Sequence, residues 1–400
     1  MTPRDQAQVL TGERHWDEAE SAWARVASSA RRAEDAEAWC RALIAAGDCA
    51  FRADRPVLAL RHLVRVRQSC EPSSPLWALL GVQIAGILME LGELTASLRL
   101  FEQLDRPDAP DHVRAVLLDT RIGLHLVRGR VSDARGDLER LRRVAHAEAA
   151  VLFREGQIGR IEGRFSDATD ALASAAVRVR DDPRFDGPLG AILLELAEVA
   201  MFREDHDDAL SLLDEAEAAW CHARRRSGVF RTEAARMRLL ALMGTSDVLT
   251  SNLERAVAFA AERELRLLEA ELRLARGTCL FARDRSAAAV DLTLVLDMAK
   301  AMGAPHLAGR ARLVLHDAPD GSAEALERAC AELEETPPWR TRSQLALARA
   351  RARVPQDREA ALDMASTVFC QFAAMDLPAD EARARILIWR LAQPEVFEKA

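Results

Sequence analysis

Four short stretches bring together side chains able to do chemistry. In EDHDD (204–208), His206, Asp207 and Asp208 offer an imidazole and two carboxylates, a set that can ligate a metal. The same run reads as a hinge followed by the first turn of a helix, where carboxylates favour the positive end of the dipole, and that reading is preferred. Cys221 and His222 are adjacent, so on a helix they diverge by about 100° and share no site. GQIGRIEG (156–163) spaces its glycines at three and four, a pattern of close helix packing more than of phosphate binding. RTRSQLALARARAR (340–353) holds five arginines and no acid. Arg342, Arg349 and Arg353 are seven and four apart, which places them on one helix face. Such a row suits capture of carboxylates or phosphates, and equally suits ion pairs with neighbouring helices or plain solvation.

Catalytic motifs are missing: no phosphate loop ending in Lys-Ser or Lys-Thr, no dinucleotide fingerprint, no H-E-x-x-H and no G-x-S-x-G. No enzyme, metal or cofactor is expected. The net charge of −8 argues against a general nucleic-acid partner. Nearly every cation is Arg, the only lysines being Lys300 and Lys399; Asn252 is the only asparagine, and Tyr is absent. These three residue types share A/T-rich codons, so a high-GC, bacterial genome is expected. The seven cysteines are scattered without a C-x-x-C pair, which suits a reducing compartment. MTPRDQAQ lacks an apolar run for export, and LGAILLELAEVAMF (189–202) carries Glu195 and Glu198 and is too short to cross a bilayer. A cytoplasmic protein without membrane contact is expected.

The elements that must position these residues repeat. A helix break, a short hinge and a small residue one turn into the next helix recur with the mark at Ala19, Ala59, Ser97, Ala134, Ala168, Ala209, Leu249, Ala288, Ala325 and Ala360. Four residues on stand Trp23, Leu63, Phe101, Leu138, Leu172, Leu213, Leu253, Leu292, Ala329 and Met364, all but Ala329 large and apolar. Seven on, only Glu332 and Thr367 break the stripe. Gly92, Gly129, Gly163 and Gly244 stand five residues before their marks, where a left-handed backbone turns one helix into the next. Prolines fall between helices, and no segment alternates like a strand. The spacing predicts an all-α, right-handed α-solenoid: about ten helical hairpins over residues 10–376, a capping helix at 379–393, one domain over 1–400. Only about a dozen residues precede the first hinge, so the first helix is short and the N-terminal face is a candidate docking edge.

G-R-F-S-D-A (163–168), followed by Leu172 and Ala175, resembles the hinge and second helix of the tetratricopeptide repeat family. RPVLALRHLVRV (55–66) and HDDALSLLDEA (206–216) fit the same pattern. The family's Trp-x-x-Leu-Gly run survives only partly, as Leu43, Ala46 and Gly47, or Leu152 and Gly156, and most intervals exceed the family's 34 residues. Longer repeats of this kind are similar to kinesin-light-chain-like proteins and to the sensor arms of bacterial signalling ATPases and transcriptional activators.

The resemblance implies that the first helices line a concave groove. Its exposed positions fall on Leu79, Val82, Met89, Val116, Leu126, Phe153, Gln157, Arg160, Leu194 and Met201, then on Arg231, Arg238, Arg273, Arg342, Arg349 and Arg353. The clamp that holds a chaperone's C-terminal carboxylate needs Asn and Lys there, and neither is present. The expected function is a non-catalytic protein–protein interaction scaffold or adaptor whose groove takes a protein or peptide, an acidic one at the C-terminal end. The alternative is a regulatory or sensory arm that works with a separate chain and responds to a peptide or small ligand.

Overall fold

The computed structural model describes residues 2–72, 74–144, 148–244, 250–318 and 321–392. These form ten successive helical hairpins and a final helix. The pairs are α1 (Pro3–Gly12) and α2 (Trp16–Arg32), α3 (Ala36–Arg52) and α4 (Pro56–Ser69), α5 (Pro75–Glu90) and α6 (Leu94–Leu104), α7 (Asp111–Val127) and α8 (Val131–Val144). There follow α9 (Glu148–Glu162) and α10 (Phe165–Val179), α11 (Asp186–Arg203) and α12 (His206–His222), α13 (Arg226–Leu242) and α14 (Thr250–Glu262). Last come α15 (Arg266–Leu280) and α16 (Arg285–Met302), α17 (Pro305–His316) and α18 (Ala323–Glu332), α19 (Pro337–Arg351) and α20 (Arg358–Ala374), and the cap α21 (Pro378–Ala392). The architecture is the all-α solenoid that the spacing predicts, and α1 is short. No helix among the described residues is long and apolar enough to cross a membrane.

Seven of the hinges share one backbone device. Five residues before the mark, Gly92, Gly129, Gly163 and Gly244 have φ between 72° and 80°. Arg14, Asp54 and Glu204 occupy the same column with φ of 56–60°. A left-handed residue turns the first seven hinges, and glycine is only its cheapest form.

Within a hairpin the small marks let the helices close. Ala19, Ala59, Ser97, Ala134, Ala168, Ala209 and Ala288 are fully buried. First-helix glycines take the large residue four beyond the mark: a Cβ on Gly156 would lie 2.4 Å from Leu172 Cγ, and one on Gly47 or Gly277 2.8 Å from Leu63 or Leu292. GQIGRIEG is thus a packing surface, its Gly159 lying against Ala168. Asp205 caps α12 and accepts from the Asp208 amide, with Asp207 and Asp208 in the first turn.

The last two registers need correction. Along α18 and the turn that follows it the buried series is Leu326, Ala329, Leu333 and Thr336, which matches the spacing of Phe165, Ala168, Leu172 and Ala175 of α10. The mark of the ninth repeat is therefore Ala329, one turn after Ala325. In α20 the series is Ala361, Ala365, Val368 and Phe372, so the mark is Ala361, one residue after Ala360. The stripe is intact in both; Glu332 and Thr367 only marked a misplaced ruler. The Leu249 mark lies outside the described residues.

Successive superhelical turns also touch, an arrangement with no signal in the repeat pattern. Helix α5 meets α15 and α9 meets α19, first helices five repeats apart. Each first-half hinge docks on a loop of the following turn. Trp16 Nε1 donates to the Ala223 carbonyl at 3.1 Å, and Asp54 accepts from the Ser227 amide at 3.0 Å. Glu335 accepts from the amide and hydroxyl of Ser132, both at 2.8 Å, and Arg383 reaches Glu204 at 2.9 Å. Apolar clusters bridge the same seam: Leu94, Leu117 and Leu124 share one with Ala270, Leu274 and Leu307. Phe165 and Phe202 share another with Leu345 and Phe372. The run HARRRSG (222–228) belongs to this seam, with Arg225 over the Phe51 ring and 3.6 Å from Asp54.

Candidate functional site

Because the turns close on each other, the concave side is a lumen. First helices of the third to tenth repeats enclose a cavity of ≈ 440 Å³. Its apolar wall includes Met89, Leu126, Phe153, Leu194, Leu272 and Leu307, and Trp339 stands at its C-terminal end. Helix periodicity explains the convergence: one face of each helix packs on its own second helix, leaving the opposite stripe to face inward.

Set in this wall is a charged belt. Arg160 pairs with Glu195 at 2.5 Å. Arg231 reaches Glu90 at 2.9 Å, four repeats away across the seam, and Glu271 at 3.3 Å. Arg238 pairs with Glu198. Arg154 pairs with Asp119 at 2.8 Å and donates to Gln157 at the same distance. Burial opposes the charge of Arg231, but Glu90 and Glu271 outweigh it and hold the guanidinium well above its ordinary value. Burial likewise opposes the charge of Glu198, and Arg238 and Arg160 hold its carboxyl below the usual range. Two groups are driven the other way. Burial, then the nearby Arg238 and Arg160, pushes Arg310 down to about 10. Burial with Arg310 and Arg160 pushes His306 down to about 3.

Four of the eight candidate partner-binding residues come together here: Phe153, Arg160, Arg231 and Arg238 all line the lumen, with Met89, Leu126, Gln157 and Leu194 beside them. The other four face elsewhere. Arg273 turns to its own hairpin and meets Glu269 at 2.7 Å and Asp291 at 3.2 Å. Arg342 lies over Phe202 and Trp339 and pairs with Asp380 at 2.6 Å. Arg349 pairs with Asp317 at 3.0 Å, and Arg353 donates to the Ala318 carbonyl at 2.7 Å. Of the apolar positions, Val82 and Met201 are buried in the core, and Val116 is 45% exposed outside the lumen.

Sequence reasoning missed Glu90, Glu195, Glu198, Glu271, His306, Arg310 and Trp339. A signal existed for some: Glu195 and Glu198 interrupt an otherwise apolar helix at a spacing of three, which puts two carboxylates on one buried face. Among the described residues no group of three or more His, Cys, Asp or Glu is placed to hold a metal ion.

No family model matches the chain, and no curated protein is significantly similar to it in sequence. Solved structures are similar in shape. A Rap protein, solved in complex with Competence and Sporulation Factor, covers 80% of this chain with 99% of its own, at 14% identity and a TM-score of 0.53. A signal transduction ATPase from Pyrococcus horikoshii with a tetratricopeptide repeat sensor matches at 13% identity and a TM-score of 0.43; this chain covers 86% of itself and 54% of that protein. Scc4, solved in complex with Scc2n, matches at 11% identity and a TM-score of 0.44, over 99% of this chain and 91% of Scc4. At 14% identity the likeness to the Rap protein speaks to the fold, in agreement with the hairpins, hinges and stacking described above. The chain is an all-α helical-repeat protein with a tetratricopeptide-like fold.

Proposed function

We propose that the chain is a non-catalytic protein-interaction scaffold that receives a peptide segment of its partner in the lumen. One observation carries this reading: the inward stripes of eight successive first helices converge on one cavity that mixes apolar wall with fixed charge. A binding site of this size and lining is ordinary for a compact ligand or a few residues of peptide. The Rap protein was solved with a bound factor, which supports the reading by analogy of fold alone. Arg160, Arg231 and Arg238, each already paired, would orient polar groups of the segment, and Phe153 would pack against it.

The second reading is a regulatory or sensory arm that answers to a peptide or small ligand and acts on a separate chain. The seam favours it: a lumen closed by contacts between turns admits a ligand by loosening them, which couples occupancy to superhelical pitch. Affinity capture from native lysate tests where the partner binds. Wild type is run beside Thr120→Trp, which fills the lumen without breaking an ion pair, and beside Arg342/Arg349/Arg353→Glu. A partner retained by wild type and lost only from Thr120→Trp supports lumen binding. Loss only from the triple variant moves the site to the arginine row of α19. Equal retention by all three sinks both locations.

A further inference from the structure

Every lumen arginine but one has a carboxylate. Arg154, Arg160, Arg231 and Arg238 pair with Asp119, Glu195, Glu90 and Glu198 in turn. Arg310 has no ion pair among the described residues. Its guanidinium lies 4.5 Å from the Trp339 ring centroid, and its Nε is buried with no hydrogen-bond partner. One turn earlier on the same face of α17, His306 also lines the lumen, and its Nδ1 is buried and unpartnered.

At neutral pH Arg310, at about 10, stays charged, while His306, at about 3, is neutral. The Arg310 guanidinium therefore carries its charge with no carboxylate in contact, Glu198 and Glu271 acting on it only from longer range. A buried charge without a partner is costly, and ring stacking offsets only part of that cost. An anion reaching the guanidinium removes the cost and makes charge-assisted hydrogen bonds. A singly charged anion is favoured over a more highly charged one, because Glu198 and Glu271 share the lumen and repel each added negative charge. The body that carries it has to be apolar, because Leu126, Leu194 and Leu307 form the adjoining wall.

We propose that the lumen holds a site for one carboxylate on a small apolar body, with Arg310 as its cation and His306 as a second polar anchor. The site deepens the lumen reading and rests on it. Two sources offer the same chemistry, a free carboxylic acid and the C-terminus of an apolar peptide.

Calorimetry and thermal melting on the full chain distinguish the outcomes. The probes, at millimolar concentration, are phenylacetate and its neutral amide, and N-acetyl-Leu-Leu-Phe as free acid and as amide. The proteins are wild type, Arg310→Met and Arg310→Lys. The acids bind wild type and the amides do not. Arg310→Met loses roughly tenfold to a hundredfold in affinity, the worth of a charge-assisted bond, while Arg310→Lys retains part of it. Ligand-free Arg310→Met melts higher than wild type, by about 2 °C, because the unpaired charge is gone. If acid and amide bind alike, the anion site falls and lumen binding survives. If phenylacetate binds through Arg310 and the peptide acid does not, the anion site stands and the peptide reading falls. Binding of no acid, or equal binding by Arg310→Met, overturns the proposal.

Discussion

Replacing Gly129 by alanine separates the two tasks this hinge performs. Gly129 has φ +72°, and a Cβ placed on it would lie 2.7 Å from His306 Cβ, on the next turn of the superhelix. The left-handed backbone costs an alanine about 1 kcal/mol relative to glycine. The close approach adds overpacking of about 1–3 kcal/mol, because His306 Cβ is fixed to the first turn of α17 and cannot swing aside. The expected loss is about 2–4 kcal/mol in total. Gly244 supplies the comparison: its φ is +74°, but nothing among the described residues lies within 4 Å of its added Cβ. Gly244→Ala therefore costs only the backbone term, about 1 kcal/mol. Urea unfolding followed by far-UV circular dichroism reads both, and the excess loss in Gly129→Ala measures the contact between turns. If the two variants lose the same stability, the turns do not touch in solution and the lumen is an open groove.

Other outcomes follow from the same geometry. Gly156→Ala drives a Cβ to 2.4 Å from Leu172 Cγ; it costs about 1–3 kcal/mol, and adding Leu172→Ala recovers part of that loss in a double-mutant cycle. Trp16→Phe deletes the hydrogen bond to the Ala223 carbonyl and lowers stability by about 1 kcal/mol without changing helix content. Burial would raise the Asp137 carboxyl, but His125 and Arg121 outweigh it and hold it at about 2, against an ordinary 3.8. Its folded value is depressed, so its stabilisation, about 2 kcal/mol, is complete above pH 4 and lost as pH falls from 4 to 2. Asp137→Asn flattens that acid limb, seen in unfolding midpoints measured across pH 2–6.

The repeat was legible because its physics is local. Small residues such as Ala168 must meet the neighbouring helix, Leu172 must fill the next gap, and both recur at fixed distance from a hinge. The register slipped at Ala325 and Ala360 because alanine is common there on exposed faces too. Burial alone distinguishes Ala329 and Ala361 from them. Contacts five repeats apart leave no period in the sequence: Asp54 and Ser227, or Ser132 and Glu335, look like ordinary hinge and loop residues. The same blindness hid the site. Arg160, Arg231 and Arg238 fall on inward positions of their own helices and were legible one by one. Their partners Glu195, Glu90 and Glu198 lie on other repeats. The eye-catching row Arg342, Arg349 and Arg353 is satisfied instead by Asp380, Asp317 and the Ala318 carbonyl. Arg310 shows the converse: nothing in PHLAGRARLVLH says that, among the described arginines of the lumen, this one lacks an acid in contact.

Hydrogen exchange on the full chain, with and without the partner it retains from lysate, tests the central claim most directly. Lumen binding predicts slowed exchange on the first helices α9, α11, α13 and α17, with the second helices α10, α12 and α16 unchanged. Protection confined to the second helices would place the partner on the convex face and contradict the account.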